Sequence, residues 1–379
     1  MTTKETTVVM VGAGQLARMT HQAAIDYGIT LHVLAEHGTD PAVLAGAPHT
    51  LGRPDVLEDL AAAASYGSVV TLDHELVSAD ALDALVRGGV TVRPGPDALR
   101  LAQDKLAART TLAAIGGFPL PAFAPAADVE AVAAFANEHG WPVVVKARRG
   151  GYDGRGVHVV ASLEEASAVL PWSSDEPDFL VEEYLDLAGE FAILLARRPS
   201  GEIATYPPIA TLQVDGICNE LTMPAALAPE VGADAVAIAH RLVATIGATG
   251  VCAVEFFRCA DGRLLLNEMA LRPHNSGHAT IEASATSQFH QHLRAVLDWP
   301  LGSTELHSAA AMVNIIGVDG LTDPADRLPD ALRIPGIHVH LYQKSPRPGR
   351  KLGHVSALAA TTDEALERAR VAAAALTGR

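Results

Sequence analysis

Short apolar runs alternate with longer stretches of helical spacing along the first hundred residues. Thr7 to Val11 is a compact apolar run that ends in Gly12-Ala-Gly14. From Leu16 to Tyr27 the apolar positions recur at helical intervals until Gly28 stops them. Thr30 to Leu34, Ser68 to Leu72 and Val90 to Arg93 read as further strands, with Ala-rich helical stretches between them. Strands alternating with helices pair in parallel, with helices on both faces. Residues 1–103 are therefore expected to form a doubly wound α/β domain.

The rhythm changes at Asp104. A helix over Lys105 to Ile115 runs into Gly116-Gly117-Phe-Pro-Leu-Pro, and strands follow at Pro142 to Arg148, Gly156 to Ala161 and Phe179 to Leu185. A glycine-rich loop joins the first two strands, which makes them a hairpin rather than a crossover unit. Residues 104–186 are expected to be a small domain carrying this flap. Beyond it come a long strand (Glu190 to Arg198), a helix (Glu230 to Ile246) and two adjacent strands (Val251 to Arg258, Arg263 to Met269). A helix near Ala285 to Leu297 and a strand pair (Ala311 to Val318, His338 to Gln343) follow, then a basic turn and a final Ala-rich helix. Residues 187–379 thus read as a larger mixed domain of α+β character.

Charge narrows the partners. With 28 basic and 44 acidic side chains, the formal charge is 28 − 44 = −16. Nucleic acid is bound mainly through Lys and Arg, so it is not the expected partner. The three cysteines (Cys218, Cys252, Cys259) show no paired spacing and fit a reducing compartment. No apolar run approaches the roughly 20 residues that span a bilayer, and the polar start does not read as a signal peptide. A cytoplasmic protein without a membrane partner is expected.

Two glycine loops are candidate phosphate sites. Gly12-Ala-Gly14-Gln15-Leu16-Ala17 lies between a strand and a helix, where backbone N–H groups can meet an anion. Three readings fit it: a dinucleotide site with Glu36 as the ribose acid, a substrate-side loop, or plain turn chemistry. The second loop is more telling. Lys146 ends a Val-rich strand, and Gly150, Gly151, Gly154 and Gly156 crowd the turn that follows. So many glycines are entropically costly for a mere turn. No Gly-Lys-Ser/Thr and no helix follow, which excludes a Walker loop. A fixed Lys under a glycine flap is the other way to cover nucleotide phosphates.

Glu255 and Glu268 each interrupt an apolar strand, and the turn between these strands can set the two carboxylates side by side. Adjacent buried acids repel unless one is protonated or a cation lies between them. Mg²⁺ is commonly held by one or two carboxylates together with substrate phosphates, so this pair, with Asn267 beside it, reads as a magnesium cradle. Glu182 and Glu183 close another apolar strand, a typical place for a hinge beside a base, and Glu190 is a candidate ribose contact. His274 and His278 have the spacing of a zinc helix but lack its glutamate, and Pro273 and Gly277 interrupt any helix. Arg272, His274 and Asn275 are better read as anion or substrate contacts. His290 with His292, and His338 with His340, alternate as on strands or mark surface sites. Lys344, Arg347, Arg350, Lys351 and His354 surround a Pro-Gly turn, a concentration suited to a phosphate group.

The joint order of these motifs resembles the ATP-grasp superfamily. Gly-x-Gly-Gln-Leu-x-Arg-Met, Gly-Gly-Tyr-Asp-Gly-Arg-Gly, Arg-Pro-His-Asn-Ser-Gly-His and Arg-Pro-Gly-Arg-Lys-Leu-Gly-His resemble its N5-carboxyaminoimidazole ribonucleotide synthetase family over nearly the whole chain. The resemblance implies a three-domain ATP-grasp fold, usually a homodimer, that uses ATP with Mg²⁺ (or Mn²⁺) to carboxylate the amine of 5-aminoimidazole ribonucleotide with bicarbonate in purine synthesis. It implies that Lys105 and Lys146 contact ATP phosphates. The loop Gly151, Tyr152, Asp153, Gly154, Arg155, Gly156 and Val157 would fold over nucleotide and substrate. Glu182, Glu183, Tyr184 and Leu185 would hold adenine, Glu190 the ribose, and Asn267 and Glu268 would lie by the nucleotide. Glu255 and Glu268 would bind the metal. Asp153, Arg155, Arg272 and Asn275 would act at the reacting centre. The substrate contacts would be Gln15, Leu16, Glu75, Tyr152, His274, Asn275, Lys344, Arg350 and Lys351.

Two departures stand out. Gln213 replaces a His of the family's ATP site, and Asp73 in Thr71-Leu-Asp73-His-Glu75 replaces a longer acid. The competing expectations are a sister ligase such as the formate-dependent glycinamide ribonucleotide transformylase, a nicotinamide oxidoreductase built on the first glycine loop, and a zinc hydrolase.

Overall fold

The structure, a computed structural model, describes residues 6–151, 154–169 and 178–378. Its strands form three sheets. The first is parallel and contains β1 (Thr7–Val11), β2 (Thr30–Ala35), β3 (His49–Leu51) and β4 (Val69–Leu72), in the order β3-β2-β1-β4. The inner strands are apolar on both faces because both are covered. Helices Leu57–Ala64 and Ala79–Arg87 cover one face, and helix Gln15–Asp26 covers the other. The strand expected at Val90 to Arg93 shrinks to one parallel bridge between Val70 and Val92. The edge strand β3 completes the sheet; its polar, exposed composition hides it from an apolar pattern.

The core of this first sheet is not closed by its own residues. Phe289, Leu293 and Val296, from helix Gln288–Val296 far along the chain, pack against Val8, Met10 and Leu31. His292 of the same helix accepts from the Val251 N–H at Nδ1 (3.1 Å) and pairs through Nε2 with Thr71 Oγ1 (2.8 Å). Burial holds it neutral, down to about 3. His290 and His292 therefore belong to a helix, not a strand, and His292 is a buried bridge between two sheets.

The second sheet is antiparallel, from β5 (Phe123–Ala126), β6 (Val143–Ala147), β7 (Val157–Val160) and β8 (Phe179–Glu183) in the order β5-β8-β6-β7. The hairpin expected around the glycine flap is β6–β7, with Lys146 opposite Val157. The third sheet holds β9 (Leu187–Arg197), β10 (Ile203–Thr205), β11 (Ile209–Val214), β12 (Ile217–Met223), β13 (Gly250–Cys259), β14 (Leu264–Ala270), β15 (Ala309–Ile316), β16 (Ile337–Leu341) and β17 (Lys351–Ala359). Their order is β14-β13-β9-β11-β12-β15-β17-β16, with β10 on β9. Here the expected pairing of the segments at 311–318 and 338–343 is corrected. β17 lies between them and pairs with both. Its first residues belong to the basic motif, and that charge masks the strand behind it.

Candidate active site

Lys146, near the end of β6, is nearly buried and fixed by an acid below it. Its Nζ lies 2.6 Å from Glu182 Oε2, while Arg109 Nε donates to Glu182 Oε1 at 2.8 Å. Burial alone would raise the Glu182 carboxyl, but the two cations outweigh it and hold it at about 2. Arg109 is on helix Lys105–Ile115, so the triad ties the small sheet to that helix. The Glu182 carboxylate is thus committed to Lys146 and Arg109, which leaves its main chain, the group a hinge offers, for a base. Glu183 is likewise engaged, accepting from Ala122 N at 2.9 Å and from Arg263 Nη1 at 2.9 and 3.0 Å. Tyr184 and Leu185 follow the end of β8, with Tyr184 exposed.

Asp104 anchors the helix that begins with Lys105. It caps the helix through Ala107 N (2.9 Å) and accepts from Arg148 Nε (2.7 Å) and Arg149 Nε (3.0 Å) at the root of the flap. Lys105 then crosses the cleft to Glu268 Oε2 at 2.7 Å.

The two acids meet as expected, through an irregularity the sequence does not reveal. In the β13–β14 hairpin Val254 pairs with Met269 and Phe256 with Leu266, so Glu255 alone faces both Asn267 and Glu268. This bulge lets the two carboxylates share one end of the cleft. Burial, then the charges of Glu268 and Glu190, push the Glu255 carboxyl well above the ordinary carboxylate range. Burial also opposes ionisation of Glu268, but Lys105 and Lys146 keep it below its ordinary range. Glu190, on β9, is raised by burial, with Lys146 and Glu268 acting in opposite senses. His274 Nε2 stands 3.6 Å from Glu255 Oε1, and burial holds this imidazole neutral, down to about 3.

Among the described residues no group of three or more His, Cys, Asp or Glu is set to hold a metal ion. The donor set is instead two carboxylates, one of them destabilised by its neighbours' charge. That fits a hard divalent cation completed by phosphate oxygens.

Across the cleft, Arg272 donates through Nε to Glu75 Oε2 at 2.6 Å, and Glu75 Oε1 accepts from Leu271 N at 3.2 Å. Asn275 exchanges amide hydrogen bonds with Asn314. The basic turn is clamped to Gly317, whose N donates to Arg350 O (2.8 Å) and whose O accepts from Gly349 N (2.9 Å). A Cβ on Gly317 would lie 2.2 Å from Arg347 O, so only glycine allows this approach. Lys344 bonds Gln15 at the start of the first helix, and Arg18 Nη1 donates to Gln343 Oε1 at 2.6 Å. Burial, then Arg350, lower Lys344 to about 8, the mark of concentrated positive charge. Lys351 opens β17 and is near enough to act on both Glu255 and His274. Leu16 is the exception: its side chain is in the core, 5% exposed, and only its main chain faces the loop.

The first glycine loop has an occupant of its own. Asp73 accepts from Gly14 N at 2.6 Å and Ala17 N at 2.8 Å, so its carboxylate sits where a dinucleotide phosphate would. A Cβ on Gly14 would lie 2.7 Å from Asp73 Oδ2. The second loop is different. Tyr152 and Asp153 lie outside the described residues. Gly154, at φ +75°, rests on the β11–β12 turn, where an added Cβ would meet Gly216 Cα at 2.8 Å. Gly151, Arg155, Gly156 and Val157 complete the hairpin around it, and Gln213 pairs with Cys218 beside that turn, next to a bulge of β12 at Asn219.

Arg109, Asp104, Asn314 and the capping role of Asp73 escape a motif-based view, because each acts through another residue. A lone Arg in an Ala-rich helix or an Asn in an apolar strand is a local anomaly, and that is the only signal the sequence offers for two of them.

The chain matches the ribonucleotide synthetase preATP-grasp domain over residues 5–103, the ATP-grasp domain over 111–289 and the phosphoribosylaminoimidazole carboxylase C-terminal domain over 310–368. It is 46% identical to N5-carboxyaminoimidazole ribonucleotide synthase of Mycobacterium leprae, covering 92% of this chain and 83% of the relative. A carboxyaminoimidazole ribonucleotide synthase of Aspergillus clavatus complexed with ATP superposes with TM-score 0.90 at 31% identity, covering 98% of each chain. The Aspergillus clavatus enzyme in complex with ADP and 5-aminoimidazole ribonucleotide gives TM-score 0.89 at 30% identity over 99% of each chain.

Proposed function

The chain belongs to the N5-carboxyaminoimidazole ribonucleotide synthase family of ATP-grasp ligases, and from that premise we propose how its residues carboxylate 5-aminoimidazole ribonucleotide with bicarbonate and ATP. The observation that carries the reading is the convergence of Lys105, Lys146, Glu255 and Glu268 on one cleft beneath the glycine hairpin.

Bicarbonate is a poor electrophile. Attack of its oxygen on the γ-phosphorus of ATP breaks the bond to ADP and forms carboxyphosphate, whose phosphate is a good leaving group. The exocyclic amine then attacks the carboxyl carbon. The C–N bond forms, phosphate departs with the electron pair, and the amine loses a proton to give the carbamate. The chain supplies position and charge. Lys146, held by Glu182, and Lys105, held by Glu268, face the phosphates. Glu255 and Glu268 would hold Mg²⁺, which when bound neutralises phosphate charge. Arg272, braced by Glu75, and Asn275 face the carboxyl group being transferred, with Asp153 and Arg155 brought to it by the flap. Gln15, Lys344, Arg350 and Lys351 suit the ribose phosphate, because Gln15 joins the first helix to the basic turn. Carboxyphosphate is labile, and a hairpin seated on the β11–β12 turn excludes water.

The reading extends to a homodimer, as the resemblance implies, and to the cytoplasm, which the low cysteine content without paired spacing suits. No helix of the described residues is long and apolar enough to cross a membrane. The test is ADP release by the purified protein with ATP and Mg²⁺. Release that requires both bicarbonate and 5-aminoimidazole ribonucleotide is expected. Release indifferent to the ribonucleotide, or requiring formate in place of bicarbonate, contradicts the reading.

A further inference from the structure

Asn314 lies in the middle of β15, 4% exposed, on a strand otherwise filled by Ala, Met, Val and Ile. A carboxamide buried in such a strand must find partners for two N–H groups and an oxygen. All are found. Nδ2 donates to Cys218 O at 2.9 Å and to Asn275 Oδ1 at 2.9 Å, and Oδ1 accepts from Asn275 Nδ2 at 3.0 Å.

The orientation of this pair is forced. Cys218 O can only accept, so the nitrogen of Asn314 must face it. Reversing Asn314 would bring two oxygens together, and reversing Asn275 would oppose like groups at both contacts. The Cys218 carbonyl therefore sets the direction of the Asn275 amide through Asn314. One N–H and one oxygen lone pair of Asn275 are left for the reacting centre. Cys218 is also two residues beyond Gly216, the seat of Gly154 in the flap. One buried side chain thus joins the flap's seat to the Arg272–His274–Asn275 loop.

We infer that Asn314 is a positioning residue for carboxyl transfer, fixing the direction of the Asn275 amide so that carboxyphosphate is held for the amine rather than lost to water. The inference rests on the proposed role of Asn275 and deepens it. Misplacement of a positioned group by about 1 Å can slow a reaction ~10²-fold. Asn314→Ala is expected to lower product formation by about 10–100-fold and to lower ADP formation much less, so ADP released per carboxylated product rises. A purely structural loss would lower both together and leave their ratio fixed.

The experiment measures both products for Asn314→Ala, Asn275→Ala and the double variant, with ATP, bicarbonate and 5-aminoimidazole ribonucleotide. Asn314→Ser, which keeps a hydroxyl donor in the strand, replaces Asn314→Ala if the latter does not fold. Because Asn314 acts through Asn275, the double variant should match Asn275→Ala to within about twofold. An unchanged ADP-to-product ratio in the Asn314 variant, or losses that multiply in the double variant, overturns the inference. Wild-type coupling in Asn275→Ala would instead remove the role given to Asn275 itself.

Discussion

Two glycine loops follow strands in this chain, and they do opposite things. At Gly12-Ala-Gly14 the absent side chains make room for an internal anion. The Asp73 carboxylate reaches Gly14 N and Ala17 N and satisfies the start of the first helix. At Gly150 to Gly156 the absent side chains make room for backbone. Gly154 and Gly216 approach so closely that a Cβ on Gly216 would lie 2.6 Å from Gly154 Cα. The first loop is locked by a charge, while the second meets its seat backbone against backbone. Glycine content therefore does not announce a ligand; what decides is whether the chain provides its own occupant.

That contrast can be pressed at four points, from the largest effect to the smallest. Glu268→Gln, beneath the second loop, should fold normally yet lose roughly 10²–10³-fold in kcat, the scale of one removed electrostatic stabiliser. Steady-state rates beside melting curves check this, and near wild-type turnover removes Glu268 from the phosphate site. The Glu182 carboxyl should make the protein acid-sensitive. Its folded value of about 2 lies below the ordinary 4.5. Its contribution is therefore complete above about 4.5 and disappears as pH falls through about 2. It is worth on the order of 3 kcal/mol, and urea melts across that window should show the loss in the wild type and a shallower one in Lys146→Met.

The first loop should respond in stability. Asp73→Ala leaves two N–H groups without their acceptor and should cost about 1–3 kcal/mol, read as a fall in Tm. NADH fluorescence should stay unchanged on adding the wild-type protein, since the loop is already filled. Smallest is Gly154→Ala. A side chain at φ +75° costs ~1–2 kcal/mol and collides with Gly216, which lifts the hairpin from its seat, so kcat should drop about tenfold while Tm falls by less than in Asp73→Ala. An unchanged rate would mean that the flap acts without this seat.

Much of the site was legible because its chemistry is carried by residues anomalous in their setting. Lys146, Glu255 and Glu268 are charges inside apolar strands, and the four flap glycines are a cluster without a turn's economy. Their supports were not legible. Arg109 matters because Glu182 reaches it, Asp104 because Arg148 and Arg149 do, and Asn314 because a carbonyl on another strand fixes its direction. Those relations exist only once three sheets are assembled. Folding obeyed the same divide. The parallel sheet and the helix near Ala285 to Leu297 followed from apolar periodicity, but the docking of that helix in the sheet's core did not, nor did β17, whose basic start disguises a buried strand. The bulge that lets Glu255 face Asn267 and Glu268 is likewise a property of pairing, which a single strand's sequence does not contain.

In the proposed reaction a phosphoryl group passes to bicarbonate between the paired acids and Lys146. Turnover with ¹⁸O-labelled bicarbonate tests this directly by following the label into inorganic phosphate. One bicarbonate oxygen should appear in the phosphate formed with each carboxylated product; phosphate free of the label while product accumulates would contradict it.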